Sequence, residues 1–124
     1  NFIKIKNYEA NIHKIVKNYR IGLSISTFDT FNRTIVEYMK SGLTVIANNS
    51  GNNKNLFING KTGILINNLN SSILSKKIIY LLNRKKIIKK IGSNAYLSSK
   101  NKFGVKDSCK KLEKYLSLWK KINL

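Results

Sequence analysis

Apolar positions along this chain recur first at short-strand and helical periods in alternation, and then at helical period alone. Phe2, Ile3 and Ile5 make residues 2–6 read as a strand. Over residues 9–19, Ile12, Ile15, Val16 and Tyr19 fall on one helical face. Residues 21–25 form a short apolar run, the mark of a buried strand. Thr30 or Asn32 can cap a helix that runs to about Lys40, and Gly42 stands where a left-handed helix terminator belongs. Residues 43–47 read as the next strand, 48–53 as a polar loop containing Gly51, 55–58 as a helical turn, 59–62 as a tight turn and 64–66 as a third apolar strand. Three helical patterns follow. The first is capped by Ser71 or Ser72 and ends at Leu82, and the second covers 84–99 with Ile87, Ile88 and Ile91 on one face. The third covers 106–122 with Cys109, Leu112, Tyr115, Leu116 and Trp119 on one stripe.

Strands separated by helices of this length predict βαβ units and a parallel sheet. The expected fold class is therefore α/β, a Rossmann-like parallel sheet with flanking helices and an all-helical tail. Residues 1–66 form its α/β segment, and the helices of 67–124 are expected to pack on it, with Cys109, Tyr115, Trp119 and Phe103 in that packing. Ligands of such sheets sit at the carboxyl ends of the strands. Here those ends are the 26–33 loop, the 48–53 loop and Asn7 with Tyr8, and the three are expected to converge.

Composition narrows the picture. A chain of 124 residues that is 42% hydrophobic is long enough and apolar enough for one folded domain. No apolar run approaches the ~20 residues that span a bilayer. The chain opens without Met or a signal pattern and reads as a piece with sequence missing upstream. One cysteine, Cys109, cannot form an internal disulfide, which fits a reducing, cytoplasmic location. One histidine, His13, excludes a multi-histidine metal site within this piece and reads as a surface residue. The formal net charge is +19. Lys, Asn and Ile dominate together while Pro is absent, so the charge reads first as the imprint of an AT-rich coding sequence on a solvated surface. A useful positive face would meet an acidic membrane surface, as a peripheral contact, more naturally than DNA. No Cys/His finger, RNP-type strand or basic zipper is present, and no nucleic-acid partner is expected.

The chemistry lies in the acids. Only five Asp and Glu stand against twenty-four Lys and Arg, and two of the five, Asp29 and Glu37, bracket the stretch DTFNRTIVE. A helix N-terminus lies between them, and its free N–H groups suit a phosphate. Carboxylates on both sides of a phosphate site suggest a nucleotide with sugar hydroxyls.

Residues 21–51, IGLSISTFDTFNRTIVEYMKSGLTVIANNSG, resemble the donor-binding segment of GT-B glycosyltransferases, in particular the large retaining family 4. The order strand, acid, Phe, helix with a Glu eight residues on, Met, Gly, strand and glycine loop is shared. GKTGIL at 60–65 matches the family's Gly-x-Thr-Gly-x-Leu turn, and Lys102-Phe103 matches the segment before its last helix. The resemblance implies the C-terminal half of a GT-B fold and an enzyme that moves a hexose from a nucleotide-diphosphate sugar to a glycan or lipid-linked acceptor. It assigns the ribose hydroxyls to Glu37, the transferred sugar to Asp29 as the catalytic acid, and the diphosphate to the backbone around Thr30, Phe31, Asn32 and Arg33. Asn7 and Tyr8 fall where the base is contacted, and Ser50 with Gly51 flanks the donor pocket. No metal and no cofactor beyond the donor substrate are implied. The acceptor site and the remaining catalytic groups belong to an N-terminal domain, so this piece alone is expected to be inactive. Asp29 replaces the usual Glu, Asn32 and Asn52 replace glycines, Asn55 replaces a Glu and Thr44 a Pro. Asn32 and Asn52 are expected to preserve left-handed turns. Two other readings stand beside this one: a nucleotide-sugar epimerase of GT-B type, and a non-enzymatic basic module that binds nucleic acid or anionic lipid.

Overall fold

The computed structural model describes residues 3–28 and 30–122. The element order is α1 (Ile12–Val16), β1 (Ile21–Ser24), α2 (Arg33–Lys40), β2 (Thr44–Asn48), α3 (Asn53–Leu56), β3 (Ile64–Ile66), α4 (Ser71–Leu82), α5 (Lys85–Lys102) and α6 (Val105–Ile122). The strands form one parallel sheet in the order β1-β2-β3. Leu23 stands opposite Ile46, and Ile46 opposite Ile64. This is the α/β architecture read from the alternation of strand and helix.

The sheet buries apolar side chains on both faces, as a parallel sheet covered by helices must. Val45 and Ala47 of β2 point to one side, into a cluster with Ile35 and Met39 of α2, Leu56 and Phe57. Ile46 points to the other, against Ile64, Ile66, Leu81 of α4 and Ile88 and Ile91 of α5. Helix α5 comes close enough to touch the corner between α2 and β2. A Cβ on Gly92 would lie 2.2 Å from the Gly42 carbonyl oxygen, so only glycine permits that approach. Thr44, wholly buried where the resembling family has Pro, donates its hydroxyl to the Ile88 carbonyl at 2.8 Å and so joins β2 to α5.

Three expectations are corrected. The strand expected over 2–6 is absent from its described part. Residues 3–6 are irregular, and Ile3 and Ile5 are 82% and 94% exposed. A strand exists only through its pairing, and no neighbour pairs here, so the apolar alternation has nothing to bury against. The cap of α4 is Asn70 rather than either serine: its side chain accepts from the Ile73 N–H at 2.9 Å. Finally, α6 buries none of its residues. Cys109, Tyr115 and Trp119 are exposed rather than buried, so the stripe adds nothing to the core. Phe103 does pack, meeting the ring of Phe31 edge to face at 6.2 Å. No helix among the described residues is long and apolar enough to cross a membrane.

Candidate functional site

The site is organised by the junction between β1 and α2. Asn32 is buried at this junction, and two of its bonds organise it. Its Oδ1 accepts from the Ile35 N–H at 3.2 Å, capping α2, and its Nδ2 donates to Ser24 Oγ at 2.7 Å, tying the cap to the carboxyl end of β1. The N–H groups of Arg33 and Thr34, in the first turn, have no carbonyl one turn back within the helix. Asn32 has φ −84° and Asn52 φ −90°, so neither adopts the left-handed conformation expected of them. At position 32 the asparagine instead supplies a cap that glycine lacks. In the second loop it is Gly51 that is left-handed, at φ 52°.

The two loops at the carboxyl ends of β1 and β2 meet. Ser50 Oγ donates to the Ser26 carbonyl at 3.0 Å. Asn53, fully buried, holds the second loop closed by donating Nδ2 to the Asn48 carbonyl at 3.1 Å. Thr30, Phe31 and Arg33 are exposed around the α2 N-terminus, and Ser50 is bonded to the loop that leads into it. Asn7 and Tyr8 do not join this pair of loops through a strand, since none precedes them, and Tyr8 is 94% exposed. Asp29 lies outside the described residues.

Glu37 sits in the second turn of α2, half-buried, on a cavity of about 430 Å³. Arg33, Glu37 and Lys40 recur at one helical face and form one side of the cavity with Phe31 and Val36. His13, Lys102, Phe103 and Ser108 form the other. One carboxylate thus stands among three cations. A larger cleft of about 800 Å³ adjoins it and shares His13, Lys40 and Phe103, and it is lined by the C-terminal ends of α2 and α5 and the start of α6. Lys102 also donates through Nζ to the Asn55 carbonyl, which brings the end of α5 to the base of α3. Sequence reasoning missed His13 and Lys40 as cavity residues. Lys40 was readable from the seven-residue spacing to Arg33, whereas His13 arrives from another helix with no local signal. Among the described residues no group of three or more His, Cys, Asp or Glu is placed to hold a metal ion.

The family model for glycosyl transferases group 1 matches residues 1–98. The chain belongs to that family. Similar relatives include the trehalose synthase of Thermococcus litoralis, 33% identical over 96 residues that cover 77% of this chain and 22% of that protein. The trehalose synthase of Pyrococcus horikoshii is 27% identical over 95% of this chain and 27% of its own length. Among solved structures, Alr3699/HepE of Anabaena in complex with UDP superposes with a TM-score of 0.84 at 26% identity, over 88% of this chain and 30% of that one. A glycosyltransferase from Rickettsia africae superposes with a TM-score of 0.83 at 29% identity, over 98% and 32%. This group 1 glycosyltransferase segment therefore has the fold of a GT-B C-terminal domain, and it spans about a third or less of the length of these four relatives.

Proposed function

We propose that this chain is the donor-binding part of a retaining glycosyltransferase that moves a hexose from a nucleotide-diphosphate sugar to a glycan or lipid-linked acceptor. The observation that carries the reading is the capped N-terminus of α2, at the end of the loop that Ser50 bonds through Ser26, with Glu37 in the next turn of the same helix. The bound UDP-glucose of the similar Alr3699/HepE supports a donor of that class. Each part has a physical role. The first-turn N–H groups and the helix dipole favour a diphosphate, and they favour it more as negative charge builds on it when the bond to the anomeric carbon breaks. Arg33 adds a cation at the same end. A carboxylate accepts two vicinal hydroxyls at once, which suits Glu37 to ribose. Asp29 is assigned to the transferred sugar, and Asn7 and Tyr8 to the base. The acceptor and the remaining catalytic groups belong to a partner domain. The same reading places the protein in the cytoplasm, with the basic surface available to an acidic membrane.

Calorimetry with UDP-glucose tests it. Glu37→Ala is expected to weaken binding by about tenfold or more, the loss of hydrogen bonds to a charged group. Unchanged affinity in that variant, with the fold intact by circular dichroism, would contradict the assignment.

A further inference from the structure

His13, the single histidine of the chain, lies on the wall of the Glu37 cavity. Its Nδ1 is 2.6 Å from Ser41 Oγ, and Ser41 Oγ donates to the Glu37 carbonyl at 2.9 Å. A serine hydroxyl carries one proton. With that proton on the Glu37 carbonyl, the oxygen accepts from the ring, which is the arrangement that makes both contacts hydrogen bonds and puts the hydrogen on Nδ1. In the neutral imidazole Nε2 is then a lone-pair acceptor, and no described residue bonds to it. Ser41 follows Glu37 by one helical turn, so the bond sets the ring beside the face of α2 that carries Arg33, Glu37 and Lys40.

The cavity is otherwise rich in donors. Arg33, Lys40 and Lys102 have no acceptor atoms, and Ser108 offers only a hydroxyl. The side-chain acceptors that a polyol's O–H groups need are the Glu37 carboxylate, His13 Nε2 and the Ser108 hydroxyl oxygen, whose own proton goes to the Gly104 carbonyl. We propose that His13 is a second hydroxyl acceptor of the nucleotide site, with Nε2 receiving one ribose O–H while Glu37 receives the other. The proposal rests on the nucleotide-sugar reading and adds to it a residue that selects for a sugar bearing both hydroxyls. Ser41 acts as a positioning residue, because its single proton fixes the tautomer.

The lone imidazole makes the test direct. In the free chain, nitrogen NMR of His13 is expected to show a protonated Nδ1 and an unprotonated Nε2, and Ser41→Ala is expected to mix the two tautomers. Millimolar UDP should move the Nε2 resonance part-way toward the protonated value, whereas the 2′,3′-dideoxy analogue of UDP should leave it in place. His13→Phe should weaken UDP about fivefold, the worth of one neutral hydrogen bond. Three results would overturn the proposal: an Nε2–H tautomer in the free chain, an equal response to both nucleotides, or Glu37-dependent UDP binding with an unmoved Nε2 signal. The last of these leaves the nucleotide reading standing, whereas failure of UDP to bind at all removes that reading and the proposal with it.

Discussion

Asn32 shows how one side chain can serve structure and site together. Two of its bonds hold the α2 N-terminus against the end of β1, so the first-turn N–H groups proposed to meet the diphosphate are fixed by the same residue that ends the loop. Asn32→Ala is expected to cost about 1–2 kcal/mol by loss of the cap, measurable as a fall in denaturant midpoint. Nucleotide affinity should fall with it, and a variant with wild-type stability would show that the cap contributes nothing. Gly92 is a purely structural counterpart. A methyl group there meets the Gly42 carbonyl, so Gly92→Ala is expected to destabilise by about 1–3 kcal/mol while nucleotide affinity per folded molecule is unchanged. At this scale the capping role of Asn32 was legible, since Asn precedes an apolar-periodic helix. Its bond to Ser24 was not, because it joins two elements. The same holds for His13, whose partner Ser41 lies 28 residues away.

Among the elements, β1, β2 and β3 stand close to where short apolar runs placed them, most clearly β2, which is buried on both faces and so needs an unbroken run of such residues. The run at 2–6 carried the same signal without a pairing neighbour, and local pattern cannot report a missing neighbour. Helix α6 makes the same point. Its stripe of Leu112, Tyr115, Leu116 and Trp119 predicts burial, yet these residues are between 53% and 69% exposed. Trp119, the single tryptophan, is expected to give fluorescence readily quenched by acrylamide in the isolated chain. Strong protection of that emission would mean that the stripe is covered in solution.

For the whole molecule, the net charge of +19 is the loudest feature of the sequence and the least specific. The site depends instead on one scarce carboxylate and a helix end, which fold brings beside Arg33, Lys40 and Lys102. The fold class and the family were legible because strand, acid, helix and glycine loop occur in a fixed order along the chain. The cavity was legible only on its α2 side, since its other wall comes from α1 and the corner between α5 and α6. If, as proposed, the acceptor site lies in a partner domain, the chain alone is expected to show no turnover of UDP-glucose in a hydrolysis or transfer assay, and measurable turnover would place the whole of the chemistry within it.

The central claim is that the α2 N-terminus, Glu37 and the Ser50–Gly51 loop together hold a nucleotide-diphosphate sugar. Backbone amide NMR with UDP-glucose tests it most directly. The account predicts saturable shifts concentrated at residues 30–37 and at Ser50 and Gly51. Shifts confined to the lysine-rich face around residues 84–90, or none at millimolar ligand, would contradict it.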